Sequence, residues 1–100
     1  MFVMINRMTV PEKFRGHFED VFKDRRRAVD RRKGFIRAEI LKPVDGDAYL
    51  VVTHWETKKD FDGWVGSPEY HEGHRRVKDF KEDGKLVLTS KVEMYEVLTT

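Results

Sequence analysis

The sequence contains no cysteine, which excludes disulfides, thiolate catalysis and cysteine-held metal clusters. It has only two serines, Ser67 and Ser90, and neither lies in a Gly-x-Ser-x-Gly elbow. The longest apolar runs, Phe2–Ile5 and Tyr49–Val52, are far shorter than the roughly 20 residues that a membrane-spanning helix needs. No signal-peptide pattern opens the chain. These features favour a cytoplasmic protein with no membrane insertion.

The length and the charge distribution indicate the number of domains and the type of partner. One hundred residues are enough for one core, and we expect a single domain over residues 1–100. The net charge of +2 conceals a basic segment, Lys23–Lys33, which holds seven basic and two acidic residues. Aspartates interrupt this segment, and it lies on a predicted helix whose apolar stripe faces a sheet. We therefore predict no nucleic-acid partner.

Hydrophobic periodicity predicts the order β-α-β-β-α-β. Apolar residues at spacings of three and four predict a long helix over 12–32, closed by Gly34, and a short helix after a capping box at Thr57. A second short helix is expected from Pro68 to about Val77. The predicted strands cover 2–10, 35–41, 48–56 and about 86–98. This pattern is typical of an α+β, ferredoxin-like βαββαβ fold, with a four-stranded antiparallel sheet and helices on one face.

Apolar side chains alternate onto both faces of the predicted strands. Val3 and Ile5 point away from Phe2 and Met4, and the third strand repeats the pattern. Helices on one side would leave the other apolar face in water. We therefore expect a second subunit to cover it in a symmetric homodimer.

Asn6 is the first polar residue placed where periodicity demands an apolar one. Strand alternation puts it in line with Phe2, Met4, Met8 and Val10. Either a nearby backbone group satisfies its amide or the amide serves a site.

Arg25 is the second such residue, because it falls within the apolar stripe of the long helix. A guanidinium stays charged, so Arg25 must snorkel, pair with a carboxylate such as Glu39, or meet an anionic ligand.

His74 is the third. It shares a face of the last predicted helix with Tyr70 and Val77, at spacings of four and three, and so is predicted to point inward. A packed core histidine and a ligand are both compatible with this position. His71 lies at the edge of the same face, while His17 and His54 have no evident partner in the sequence and are interpreted as structural or exposed.

Three segments together resemble a known family. They are Val52 to Glu56, Phe61 to Trp64, and Ser67 to Tyr70 followed by His74. This pattern resembles the antibiotic-biosynthesis-monooxygenase family of dimeric α/β barrels and, within it, the haem-degrading monooxygenases of the IsdG type. The resemblance covers roughly residues 3–97. The subfamily's pocket Asn, Trp and His fall on Asn6, Trp64 and His74 without a gap.

The resemblance implies a haem-degrading monooxygenase in which haem is both cofactor and substrate. His74 would be the axial ligand of the haem iron, Asn6 would hydrogen-bond the oxygen species on the opposite side, and Trp64 would push the macrocycle out of plane. Arg25 would meet the propionates, and Tyr70 would line the haem-binding face beside His74. The porphyrin ring would be opened with O2 and iron released. Electrons would come from a separate reductase or small reductant.

Two other functions fit the same residues. In a cofactor-free monooxygenase acting on a quinol-like or polyphenolic molecule, Asn6 and Trp64 would line an organic pocket and His74 would only be packed. A haem-binding carrier or sensor would use the same pocket without turnover. If haem is bound, His71 could compete with His74 as the ligand of the iron. The predicted inward position of His74 on the helix favours His74.

Overall fold

The computed structural model describes residues 1–23, 28–71, 81–82, 85–86 and 88–100. The strands within these ranges are β1 (Phe2–Thr9), β2 (Phe35–Leu41), β3 (Ala48–Trp55), β4 (Lys81–Glu82), β5 (Lys85–Leu86) and β6 (Thr89–Glu96). The α-helices are α1 (Arg15–Lys23) and α2 (Lys58–Val65), and residues 68–71 are also helical. Short 3-10 helices occupy Glu12–Phe14 and Ala28–Arg31. Among the residues described, no helix is both long and apolar enough to cross a membrane.

The four long strands form one antiparallel sheet in the order β2-β3-β1-β6. This is the ferredoxin-like α+β topology that the sequence pattern predicted, and the α-helices pack on one face. Strand β1 is central, so each of its residues has a partner on both sides. Asn6, for example, lies opposite Val51 on β3 and Val92 on β6. Residues directly opposite one another share a face of the sheet, so this register defines what surrounds Asn6.

The predicted helix over 12–32 is wrong at both ends. Residues Glu12–Phe14 and Ala28–Arg31 form 3-10 helices, and the described part of the α-helix between them covers Arg15–Lys23. Near the C-terminal end, the Arg32 N–H donates to the Val29 carbonyl oxygen at 3.0 Å, a three-residue bond that tightens the backbone ahead of Gly34. Gly34 has a φ of 79°, which supports its predicted role as a helix stop.

The last predicted strand is also too long. It begins at Thr89 and not near Leu86, because Lys85–Leu86 pairs with Lys81–Glu82 in a separate two-stranded hairpin. Strands of two residues are too short to show an alternating pattern, which is why the hairpin was missed.

Two apolar clusters fill the space between the sheet and the helices. Cluster one consists of Met8, Val10, Phe18, Tyr49 and Leu88. Cluster two consists of Phe2, Met4, Val29, Trp55 and Phe61. Helix α1 supplies Phe18 to the first, and helix α2 supplies Phe61 to the second. Each helix is therefore held over a different half of the sheet by its own apolar contacts.

A buried hydrogen bond fixes α1 to the sheet at cluster one. The Tyr49 hydroxyl donates to Glu19 Oε2 at 2.5 Å, and Lys42 Nζ lies 3.3 Å from the same oxygen. Burial, together with the adjacent Glu19 carboxylate, raises the pKa of Tyr49 to about 12. The Tyr49 hydroxyl therefore stays a hydrogen-bond donor across the physiological pH range.

Helix α2 is positioned by its N-terminus and by a close approach to Gly34. The Thr57 hydroxyl accepts from the Asp60 N–H at 3.2 Å and donates to Asp60 Oδ2 at 2.9 Å, so the predicted capping residue is confirmed. A Cβ at Gly34 would overlap the Asp60 carboxyl group. Glycine is therefore required at this position by space as well as by its positive φ.

The face of the sheet turned away from the helices is apolar at its centre, as expected. Its apolar side chains are Val3, Ile5, Leu41, Leu50, Val52 and Tyr95. Polar contacts flank them: Arg7 Nε forms an ion pair with Glu93 Oε1 at 3.1 Å, and His54 Nε2 lies within hydrogen-bond distance of Glu39 Oε1, at 3.2 Å. The structure thus provides the partner for His54 that was not evident in the sequence.

Candidate functional site

Asn6 lies in the gap between the two apolar clusters. Its neighbours along the same face of β1 are Met4, which belongs to cluster two, and Met8, which belongs to cluster one. Its Oδ1 atom is buried and has no hydrogen-bond partner. A nearby backbone group was one possible explanation for an inward asparagine, and no such bond is present for this oxygen. A buried polar atom left without a partner costs about 1–3 kcal/mol of stability. Such an atom needs an explanation, and a role in a functional site is one.

Two more unpartnered polar atoms lie on this face of the sheet. Thr53 Oγ1 and Trp55 Nε1 are both buried without a hydrogen bond. Thr53 is opposite Met4, one step along the face from Val51, and Trp55 is opposite Phe2. Within the described part of the chain the structure has four such atoms, and these three share one face of two neighbouring strands. Apolar packing alone would not require polar groups at these three positions of the sheet.

An uncovered apolar surface adjoins Asn6 on the other side. Val92 is opposite Asn6 and Met94 is opposite Met4, so both point to the helix side of the sheet. Their exposed fractions are 53% and 51%, although they lie beside fully packed core positions. Exposed apolar side chains beside an inward amide form the kind of surface that binds a largely apolar small molecule.

Trp64 packs against cluster two, on the face of the sheet to which Asn6 also points, and Tyr70 contacts Trp64. Trp64 is half-buried against cluster two, and its ring meets that of Tyr70 edge to face with centroids 5.9 Å apart. Burial raises the pKa of the Tyr70 hydroxyl above its ordinary value, so this group is neutral at physiological pH. Trp64 itself is only partly enclosed by the core.

Buried Ser67 joins the segments that carry these two aromatic residues. Its hydroxyl donates to the Trp64 carbonyl oxygen at 2.7 Å and accepts from the Tyr70 N–H at 3.3 Å. The Ser67 N–H donates to the same Trp64 carbonyl at 3.0 Å. The chain breaks between α2 and the helical residues 68–71, and Ser67 holds the two aromatic segments in a fixed relation.

A guanidinium from the basic segment anchors the end of α2 that carries Trp64. Arg32 Nη2 donates to the Gly63 carbonyl oxygen at 2.9 Å. Because Gly63 precedes Trp64, this bond fixes the backbone immediately before the indole. Part of the positive charge that marked Lys23–Lys33 in the sequence is thus used to position α2.

The structure places only some of the predicted site residues. Asn6 lies on β1 and faces the helix side of the sheet, Trp64 packs against cluster two, and Tyr70 contacts Trp64. His74 and Arg25 lie outside the described residues. His71 is exposed, with its ring edge-on to Tyr70 at 5.7 Å. Glu39, named as a possible partner for Arg25, contacts His54 and lies 3.4 Å from Arg37 Nε.

Sequence reasoning missed Thr53, Val92 and Met94. Alternation indicated the face of each residue along its own strand, but only the register of β1 with β3 and β6 places them beside Asn6. Aligning the predicted last strand antiparallel to the first would have indicated Val92 and Met94. The unpartnered state of Thr53 has no signal in the sequence.

The topology defines the class: a ferredoxin-like α+β protein whose sheet carries an exposed apolar surface beside Asn6 on its helix side. The chain belongs to the antibiotic biosynthesis monooxygenase family, whose model matches residues 1–76.

Named relatives and a solved structure agree with this membership. The chain is 40% identical over 76 residues to a "Heme oxygenase (mycobilin-producing)" of Mycobacterium tuberculosis, a match covering 73% of this chain and 72% of the relative. It is 29% identical over 103 residues to a "Heme oxygenase (staphylobilin-producing)" of Staphylococcus haemolyticus, covering 100% and 98%. A heme-degrader of M. tuberculosis, solved with two hemes in its active site, superposes with a TM-score of 0.76 at 28% identity, covering 100% of this chain and 98% of the other.

Proposed function

We propose that this protein is a haem-degrading monooxygenase that binds haem on the helix side of the sheet and opens its porphyrin ring. The observation that carries the proposal is the inward Asn6, whose amide oxygen is buried and unpartnered, beside the uncovered Val92 and Met94. An apolar macrocycle needs such an apolar surface, and oxygen chemistry on it needs a polar group at one defined point. The relatives named for haem oxygenation support the same substrate.

The described residues suit three roles. Asn6 would donate a hydrogen bond from the sheet side to the oxygen substrate. Trp64, held through the Arg32 contact and the Ser67 bonds, would pack against the haem. Tyr70, packed edge-on against Trp64, lines the binding surface. All three roles need rigid side chains, and the contacts around Trp64 and Tyr70 supply that rigidity.

Two further roles rest on the family resemblance. His74 is proposed as the axial ligand, since a neutral imidazole binds haem iron well. Arg25 is proposed to pair with the haem propionates, since a guanidinium matches a carboxylate in charge and shape. The macrocycle supplies the redox chemistry when bound, with O2 and electrons from a separate reductase or small reductant. A cytoplasmic location, where such donors are available, stays a prediction.

Titration of the purified protein with haemin tests the proposal directly. We expect a Soret band that saturates at a fixed haem-to-protein ratio and then decays when ascorbate or a reductase is added in air, with release of iron. Failure to form the band would favour the cofactor-free monooxygenase acting on a quinol-like molecule. A stable band in the presence of reductant would favour a haem carrier or sensor.

We also propose that the protein is a homodimer formed by packing the two sheets through their helix-free faces. The apolar centre of that face would otherwise remain in contact with water. Sedimentation equilibrium at micromolar concentration should give twice the chain mass of 11.9 kDa. Leu50→Lys at the centre of the face should produce a folded monomer, whereas Val44→Lys in an exposed loop should not. A monomeric wild-type protein would contradict the dimer.

Arg25→Ala should weaken haem binding by about tenfold without changing the absorption spectrum of the bound haem. A propionate contact is electrostatic and remote from the iron, so the ligation is unaffected. Arg31→Ala, at an exposed position in the same basic segment, is the matched control. If Arg25→Ala lowers the melting temperature while haem binds normally, Arg25 pairs with a protein carboxylate.

A further inference from the structure

Helix α2 ends in a break that deprives one of its carbonyl groups of a helical partner. In a continuing helix the Ser67 N–H would bond to the carbonyl oxygen of Gly63, four residues before it. The Ser67 N–H donates to the Trp64 carbonyl oxygen at 3.0 Å instead. Arg32 Nη2, from 31 residues earlier in the chain, donates to the Gly63 carbonyl oxygen at 2.9 Å. The carbonyl group immediately before Trp64 is therefore held by a side chain from outside the helix.

The charge of Arg32 suits this position as well as its donor does. The C-terminal end of a helix carries a partial negative charge, which a nearby cation stabilises. The last turn of α2 contains no basic residue of its own. A guanidinium N–H also makes a stronger hydrogen bond than a neutral donor. Arg32 thus supplies both the cation and the donor that the end of α2 lacks.

The backbone of Arg32 is fixed, so its side chain reaches α2 from a rigid base. The Arg32 N–H donates to the Val29 carbonyl oxygen at 3.0 Å, and the Arg32 carbonyl oxygen accepts from the Phe35 N–H at 3.2 Å. Val29 in turn is buried in cluster two. Arg32 is partly buried, whereas its basic neighbours Arg31 and Lys33 are exposed. Arg32 is therefore the member of this basic run that makes a contact within the protein.

The indole of Trp64 needs such a hold, because packing encloses only part of it. Trp64 is the second-last residue of α2, and the ends of helices fray readily. We infer that Arg32 is a positioning residue for Trp64, whose bond to the Gly63 carbonyl fixes the last turn of α2 and so sets where the indole meets the haem. This inference rests on the proposed function and extends it to a residue that does not itself touch the haem.

The two tryptophans of the chain provide a readout that needs no haem. A nitrogen–proton correlation spectrum contains two indole N–H signals, and the signal lost in Trp64→Phe is that of Trp64. Arg32→Met removes the charge and the donors but keeps an unbranched side chain. Arg31→Met makes the same change at the exposed neighbour and is the control. We expect Arg32→Met to shift the Trp64 signal and Arg31→Met to leave it near its wild-type position.

The rate of haem degradation provides a second readout. With haem and a fixed reductant, Arg32→Met should slow single-turnover Soret decay by about threefold to tenfold at unchanged haem affinity. Because Arg32 acts through the indole, the same change should cause no further slowing in the Trp64→Phe background. A residue that only stabilised the fold would slow both backgrounds equally or neither. Arg32→Lys, which keeps the charge and a donor, should recover part of the lost rate.

The outcomes separate this inference from the proposed function. An unshifted Trp64 signal in Arg32→Met would overturn the inference even if the wild-type protein degrades haem. Equal slowing in the wild-type and Trp64→Phe backgrounds would overturn it as well, because Arg32 would then act independently of the indole. If Arg32→Met does not fold, the uncharged Arg32→Gln must shift the Trp64 signal, or the inference is wrong. Should the signal shift as expected while the wild-type protein binds no haem, the proposed function and the catalytic effect of Arg32 fail together, and only the anchoring of α2 remains.

Discussion

His74→Ala is expected to lose the defined spectrum of axially ligated ferric haem. The imidazole is proposed as the protein's bond to the iron, so its removal leaves only apolar contacts and the propionate pairing to hold the macrocycle. Loss of groups that merely support a metal ligand already costs about 10- to 100-fold in affinity, and loss of the ligand itself should cost more. Haemin titration followed by absorption spectroscopy should show weak, heterogeneous binding.

His71→Ala is the matched control, because it removes an imidazole three residues away from an exposed position. Its spectrum and affinity should stay close to those of the wild-type protein. Recovery of the His74→Ala spectrum by added imidazole would further indicate a vacant ligand position. If His71→Ala loses the spectrum and His74→Ala retains it, the helical-face assignment of the ligand is wrong.

Asn6→Ala should bind haem and degrade it slowly. The amide is proposed to act on the oxygen substrate opposite His74, so the resting iron and its ligation should not change. A lost hydrogen-bond donor of this kind costs about 1–3 kcal/mol, which corresponds to roughly 10- to 100-fold in rate if the bond forms mainly in the transition state. Single-turnover Soret decay with a fixed reductant measures the effect.

Two comparisons make the Asn6 result specific. Asn6→Leu fills nearly the same volume without an amide, so it should be as slow as Asn6→Ala if hydrogen bonding matters and cavity formation does not. Thr9→Ala, on the opposite face of the same strand, should degrade haem at the wild-type rate. An unchanged decay rate in both Asn6 variants, with unchanged binding, would leave Asn6 as an ordinary buried amide.

Local chemistry made much of this fold predictable. Pro11 and Gly34 bound the first helical region, Thr57 caps α2, and the strand over Phe35–Leu41 was predicted with its observed ends. These features depend on backbone freedom, caps and alternation, all of which act between residues close in the chain. The errors arose where residues close in the chain do not determine the local structure. The Ala28–Arg31 segment has an α-helical pattern, yet it turns as a 3-10 helix and brings Val29 into cluster two.

The sequence by itself determined that Asn6 would face the helices, since side chains alternate along a strand and its neighbours on that face are apolar. It also determined the order of the elements and the family resemblance. Only the tertiary structure decided that Asn6 falls between two clusters, that Thr53 and Trp55 share its face without partners, and that Val92 and Met94 lie uncovered beside it. Strand pairing places Asn6 opposite residues 45 and 86 positions away in the chain, and no local pattern specifies which distant residues meet.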